Sequence, residues 1–212
     1  MVDLKARNAR STAHNPHYWV LIAVLFLAFA LRLFRLGADS LWYDETVSVY
    51  LAGQSLPALV AHTAGDIHPP GYYLLLHTWT RLAGTADWTV AFPSLFFGLL
   101  LVALAYRLAT RLLGRRVGLL AAFLVAVSPY NLWYSQEVRM YTLTAVLGMG
   151  VLATVVSLLS TSAPPVGDEP RRGMRNTGLL LVAYAVLGAL GLWVLYYFAF
   201  LLAAINLMVV PW

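Results

Sequence analysis

Long apolar runs separated by short polar stretches set the plan of this chain. A transmembrane helix takes about 20 mostly apolar residues, and runs of that kind cover 18–36, 88–113, 117–134, 140–160 and 178–197, with a further apolar segment at 198–212. Near the end of the first run, Arg32 and Arg35 stand three apart and so share a helix face. Two roles fit them: interfacial anchoring with snorkelling charges, or contact with a phosphate. The segment Gly71–Ala83 is apolar too, but its 13 residues would reach only about 20 Å as a helix, against a hydrocarbon core of about 30 Å. It also carries His77 and Arg81, so a helix lying along the membrane surface is expected, with Pro69 and Pro70 tolerated at its first turn. His77 is expected to pack or hydrogen-bond along that helix. Between the first and second runs, Asp44 and Glu45 open a short amphipathic helix, since acidic groups suit a helix N-terminus. Val47, Val49, Tyr50 and Leu51 follow, and Gly53 and Pro57 punctuate its end. The predicted fold class is all-α, a polytopic transmembrane helical bundle with short interfacial helices in its first outer loop.

Composition agrees with that plan and orients it. The chain has 212 residues, 61% apolar and 11% charged, with a mean hydropathy of +0.74, whereas soluble domains carry about 25% charged residues. The net charge of +5 does not point to nucleic acid, because the basic residues sit between apolar blocks, at Lys5–Arg10, Arg107–Arg116 and Arg171–Arg175. Cytoplasmic loops carry such clusters under the positive-inside rule. Residues 1–17 then form a cytoplasmic tail and residues 18–212 a membrane domain in the cell membrane, with 37–87 as the first outer loop. The first run continues past any small-residue cleavage site, which favours a retained signal anchor over a removed signal peptide. The segment Ser162–Thr177, with its prolines and arginines, is a cytoplasmic loop with no chemistry assigned. The last apolar segment has no closing polar loop, so the chain is expected to be the front part of a longer protein. With no cysteine, disulfides and thiolate metal sites are excluded.

Candidate chemistry gathers in two outer loops. Asp39, Asp44, Glu45, Asp66 and Asp87 come from the first, Glu137 and Arg139 from the second, and charges close to a bilayer usually mark a site or a pathway. Asp44 and Glu45 would point about 100° apart on a helix, so one reacts while the other orients a partner, unless both only cap the helix. A carboxylate here can act as general base towards an acceptor hydroxyl. His62 and Asp66, with His68 and Asp44 or Glu45, are weak candidates for a divalent metal; His68 fits hydrogen bonding to phosphate or sugar better. Trp42, Tyr43, Tyr72 and Tyr73 offer rings for stacking on a sugar or polyprenyl unit, or for interfacial anchoring. A transporter or lipid flippase is the competing class, but its polar groups belong near the membrane midplane and these stay at one face.

Three stretches carry a family resemblance: RLFRLGADSLWYDE (32–45), DIHPPGYYLLLHTWTRLAG (66–84) and SPYNLWYSQEVRMY (128–141). Together they resemble the membrane-embedded glycosyltransferases of the GT-C superfamily. The nearest branch is bacterial glycosyltransferase family 39, akin to dolichyl-phosphate-mannose–protein mannosyltransferases and lipid A aminoarabinose transferases. The resemblance implies a GT-C-like bundle with interfacial helices in the first outer loop. It also implies transfer of a sugar, with inversion, from a polyprenyl-phosphate donor to a protein, lipid or glycan acceptor at the outer face. Asp44 falls at the position of the base, with Glu45 supporting it. His68 falls near the donor phosphate, and Arg139 is placed to neutralise the leaving group. Tyr72, Tyr73, Glu137 and Tyr141 join the substrate-binding set. No nucleotide site is implied, in keeping with the lack of a glycine-rich phosphate loop. The chain is less than half the family's usual length, so an inactive fragment is a further reading.

Overall fold

In a computed structural model, residues 16–161 and 172–209 are described. They are all helical apart from turns, with no strand among them. The basic cluster at Lys5–Arg10, most of the cytoplasmic tail, the proline-bearing loop 162–171 and the last residues 210–212 lie outside the described residues. We number the helices α1 (Pro16–Leu33), α2 (Tyr43–Gly53), α3 (Leu56–Ala64), α4 (Gly71–Ala83), α5 (Asp87–Leu113), α6 (Arg115–Val127), α7 (Pro129–Tyr134), α8 (Tyr141–Thr161), α9 (Arg172–Val194) and α10 (Phe198–Val209).

Three stretches, Asp87–Leu113, Tyr141–Ser160 and Thr177–Val194, are long and apolar enough to cross a membrane, while His17–Leu33 and Phe198–Val209 are apolar but shorter. α5 is the central pillar. It packs on α6 and α8, and α1 leans on α6 and α5, while α9 closes against α8. Small residues allow the closest approaches, which in membrane bundles take the place of a hydrophobic driving force. At Gly98 an added Cβ would fall on Ser135 Oγ, and at Gly118 on Thr110 Oγ1.

The expected spans differ from the observed helices in two informative places. The run 117–134 is not one helix. It breaks at Ser128 into α6 and α7, because Pro129 has no N–H to donate and disfavours helical backbone in the residue before it. Ser128 then caps α7, its Oγ accepting from the Asn131 amide at 3.4 Å. The run 18–36 ends early, at Leu33, and Arg35 takes a left-handed φ of 61°. Arg32 and Arg35 therefore do not share a face. Arg35 is exposed and pairs with Asp39 at 3.1 Å.

Arg32 does not snorkel either. It is fully buried, and its guanidinium donates to the carbonyls of Ala28, Ala126 and Val125 and to Ser135 Oγ. The break at Ser128 leaves the last carbonyls of α6 without intrahelical donors, and a guanidinium with five N–H groups suits that end of a helix. The residue expected to anchor or to bind phosphate is instead the clamp that terminates α6.

The remaining short helices assemble at the same end of the bundle. α4 packs on α2 and α5 through Tyr72, Tyr73, Leu76 and His77, and the His77 ring sits 2.8 Å from the Ala52 carbonyl, tying α4 to α2. At Gly71 an added Cβ would come within 2.5 Å of the Trp193 carbonyl, so only glycine lets α4 start against the end of α9. α3 was not anticipated by the sequence pattern; Ser55 caps it, Oγ accepting from the Ala58 amide.

Candidate active site

The first loop meets the second through one carboxylate. Glu45 Oε1 accepts from the Val138 amide at 2.7 Å, and its Oε2 accepts from the Trp42 amide at 3.1 Å. The second bond returns an N-terminal residue's carboxylate to the start of its own helix, the half of a capping box that satisfies an orphan donor. The first bond reaches across 93 residues of sequence to an amide that is fully buried. Both oxygens of Glu45 are thereby committed to backbone, and Asp44, next along the helix, is left facing elsewhere.

That face is a cavity of about 430 Å³ whose walls include Asp44, His62, Asp66, His68, Tyr73 and Arg139. Arg139 is its electrostatic centre. Only 4% exposed, its guanidinium lies 3.7 Å from Asp44 Oδ2, donates to the Asp44 carbonyl at 3.4 Å and reaches His68 Nε2 at 3.3 Å. The guanidinium carbon also stands 5.8 Å from the centre of the Tyr141 ring, inside cation–π range. Among the described residues its Nε has no partner and no carboxylate closes a bidentate pair on this buried cation, so it keeps donor capacity for an anion.

His68 is held in its neutral form. Burial lowers its pKa first, the Arg139 charge lowers it further, and Asp66 and Asp44 oppose both. Nε2 beside a guanidinium N–H must accept, which leaves the proton on Nδ1, 3.9 Å from Asp66 Oδ2. Burial likewise raises the Tyr73 pKa, against the pull of Arg139, so its phenol stays a neutral donor beside the cation.

Glu137 faces away from this cavity. Its Oε1 accepts from Trp133 Nε1 at 2.5 Å, and burial raises its pKa, with the Glu45 charge adding to the shift and the Trp133 bond opposing it. Gln136 holds the loop down by donating to the carbonyls of Arg32 and Phe34, at 3.0 and 2.7 Å. Gln136 and Ser135 were missed as supports, because nothing in their spacing marks a bond to residues a hundred positions away. Tyr72 is buried behind the cavity rather than lining it, its ring edge-on to Tyr73.

The sequence-derived residues thus divide into groups. Asp44, His68, Tyr73 and Arg139 come together, with Tyr141 under the guanidinium, while Glu45 supports them and Glu137 lies on the other side of Glu45. His62 and Asp66 line the cavity, but among the described residues no three His, Asp or Glu side chains are grouped to hold a metal ion. A buried cation, a neutral imidazole and an adjacent carboxylate can bind an oxyanion and take a proton from a neighbouring hydroxyl.

Residues 67–211, about two-thirds of the chain, match the family described as dolichyl-phosphate-mannose-protein mannosyltransferase. No curated protein and no solved structure matches the chain. The matched range takes in His68, Tyr73 and Arg139 and begins after Asp44 and Glu45.

Proposed function

The chain belongs to the dolichyl-phosphate-mannose-protein mannosyltransferase family, membrane glycosyltransferases that use a lipid-linked sugar donor, and from that premise we propose how this cavity performs the transfer. The phosphate of a polyprenyl-phosphate sugar binds against Arg139, with His68 and Tyr73 as further contacts. Asp44 accepts the proton of the acceptor hydroxyl as its oxygen attacks the anomeric carbon. The bond from that carbon to the phosphate oxygen breaks as the new one forms, so configuration inverts and the electron pair leaves on the phosphate. Arg139 stabilises the charge that develops there, which a buried donor does more effectively than a solvated one. Glu45 acts by holding Val138, and with it Arg139, against the helix that carries Asp44.

The observation that carries this reading is the buried Arg139 guanidinium, flanked by neutral His68 and by Asp44 and facing one cavity. The reaction is placed on the outer face of the cell membrane. In support, Arg111, Arg115 and Arg116 surround the Gly114 turn at the far end of α5, about 40 Å from Asp87 by helix rise, as the positive-inside rule requires of a cytoplasmic turn. The acceptor is a protein, lipid or glycan hydroxyl.

The test is Asp44→Asn in the protein reconstituted in lipid with a polyprenyl-phosphate sugar. Transfer should fall by at least 10²-fold, the range of a lost general base, while donor binding persists. Arg139→Gln should abolish donor binding itself. Undiminished turnover in Asp44→Asn would sink the assignment of the base.

A further inference from the structure

A second cavity, about 500 Å³, lies on the other side of Glu45, lined by Asp39, Trp42, Asp87, Trp133 and Glu137 among others. Helix α2 and the residue before it separate the two spaces in alternation: Trp42 and Glu45 face this one, Tyr43, Asp44 and Val47 the catalytic one. The cavities therefore flank the N-terminus of α2 on its two sides, and Glu45, which faces this one, is the residue next to the carboxylate assigned as base.

Their chemistry differs. The catalytic cavity sets a buried cation, Arg139, with donors to spare against the carboxylates of Asp44 and Asp66. The second cavity has one cation, Arg35, already paired with Asp39, and keeps the carboxylates of Asp87 and Glu137 beside two indoles. Glu137 is the telling group. The residue is only 9% exposed, Trp133 satisfies Oε1, and Oε2 has no partner among the described residues. A buried acceptor left without a donor is costly, so a donor-bearing ligand reaching this cavity gains what the protein does not supply. The indoles give such a ligand flat apolar surface, as sugar rings and methylene chains require.

We infer that this second cavity is the acceptor subsite and that it takes a neutral or cationic, hydroxyl-bearing acceptor, hydrogen-bonded to Glu137, in preference to an anionic one. The inference rests on the transferase reading. It adds which substrate sits where and which charge is refused. The acceptor lies on the indoles, and its reacting hydroxyl reaches Asp44 around the start of α2, while the lipid phosphate stays on the Arg139 side.

These 212 residues hold no cysteine, so a single thiol introduced into them reports the cavity in which it stands. Ser40→Cys places one in the second cavity and Val47→Cys one in the catalytic cavity. In lipid nanodiscs, Ser40→Cys should react with a cationic methanethiosulfonate on the order of tenfold faster than with an anionic one, and Val47→Cys should show a weaker bias, because Arg139 offsets the carboxylates there. Octyl glucoside, a neutral glycoside, should slow labelling of Ser40→Cys only, and decyl phosphate that of Val47→Cys only. Adding Glu137→Gln should weaken the glycoside's protection by on the order of tenfold. An anionic preference at Ser40→Cys, or protection of that position by decyl phosphate rather than by the glycoside, overturns the acceptor assignment. Absence of decyl phosphate protection at Val47→Cys instead counts against the donor site, so the two readings fail separately.

Discussion

Glu45 joins the two loops on which the site depends, and its removal has a calculable consequence. In Glu45→Ala two amides lose a carboxylate acceptor. The Trp42 amide lies at a helix start where water can take over, but the Val138 amide belongs to a fully buried residue. A hydrogen bond to a charged group contributes about 1.5–3 kcal/mol, and stranding a buried donor falls in the same range. The net loss in docking of the second loop is therefore about 2–3 kcal/mol. Since 1.4 kcal/mol is tenfold in an equilibrium, local opening rises roughly 30- to 150-fold. Hydrogen–deuterium exchange of peptides spanning 136–140 should show that loss of protection, with peptides from α5 unchanged. Glu45→Gln keeps one carbonyl acceptor but turns an NH₂ group towards the other donor, so it should fall between wild type and Ala. Arg139 follows Val138 directly, so donor affinity should drop in the same order across the series. Unchanged protection at 136–140 in a folded Glu45→Ala protein would refute the tie as the element that positions Arg139.

Other expectations are more local. Arg139→Gln removes a charge that depresses His68, so ¹³C-histidine NMR should show the His68 pKa rising towards its ordinary value. Because the folded pKa lies below the unfolded one, His68 costs stability as pH falls through about 6.5, and His68→Gln should flatten that part of the acid-side denaturation profile. Arg32→Met strands the carbonyls of Val125 and Ala126 and should destabilise the fold by about 3 kcal/mol, read as a lower thermal midpoint in lipid. Gly98→Ala should destabilise by about 1–3 kcal/mol through overpacking on Ser135, and Ser135→Gly should restore part of the loss in the double variant.

What the sequence discloses here is what local chemistry dictates. Apolar run lengths separate the long helices from the 13-residue α4, and the charge of the Gly114 turn sets its end of α5 apart from the end that carries Asp87. The acidic pair at the start of α2 and the basic residue in the second loop are visible because polar groups are scarce in a 61% apolar chain. Their division of labour is not visible, since it turns on which carboxylate meets Val138, a contact 93 residues away. Arg32 shows the same limit from the other side. A run with two arginines at its end has the pattern of an interfacial anchor, and only the break at Ser128-Pro129 in another helix makes one of them a cap. That break matters for chemistry as well. Had 117–134 remained one straight helix, the carbonyls of Val125 and Ala126 would be bonded within it and not free for Arg32, and Ser135 and Gln136 would not lie against the end of α1. The loop 135–140 would then have no reason to turn Arg139 towards Asp44, so the proline that interrupts a membrane helix is as much a part of the site as the residues facing the cavity.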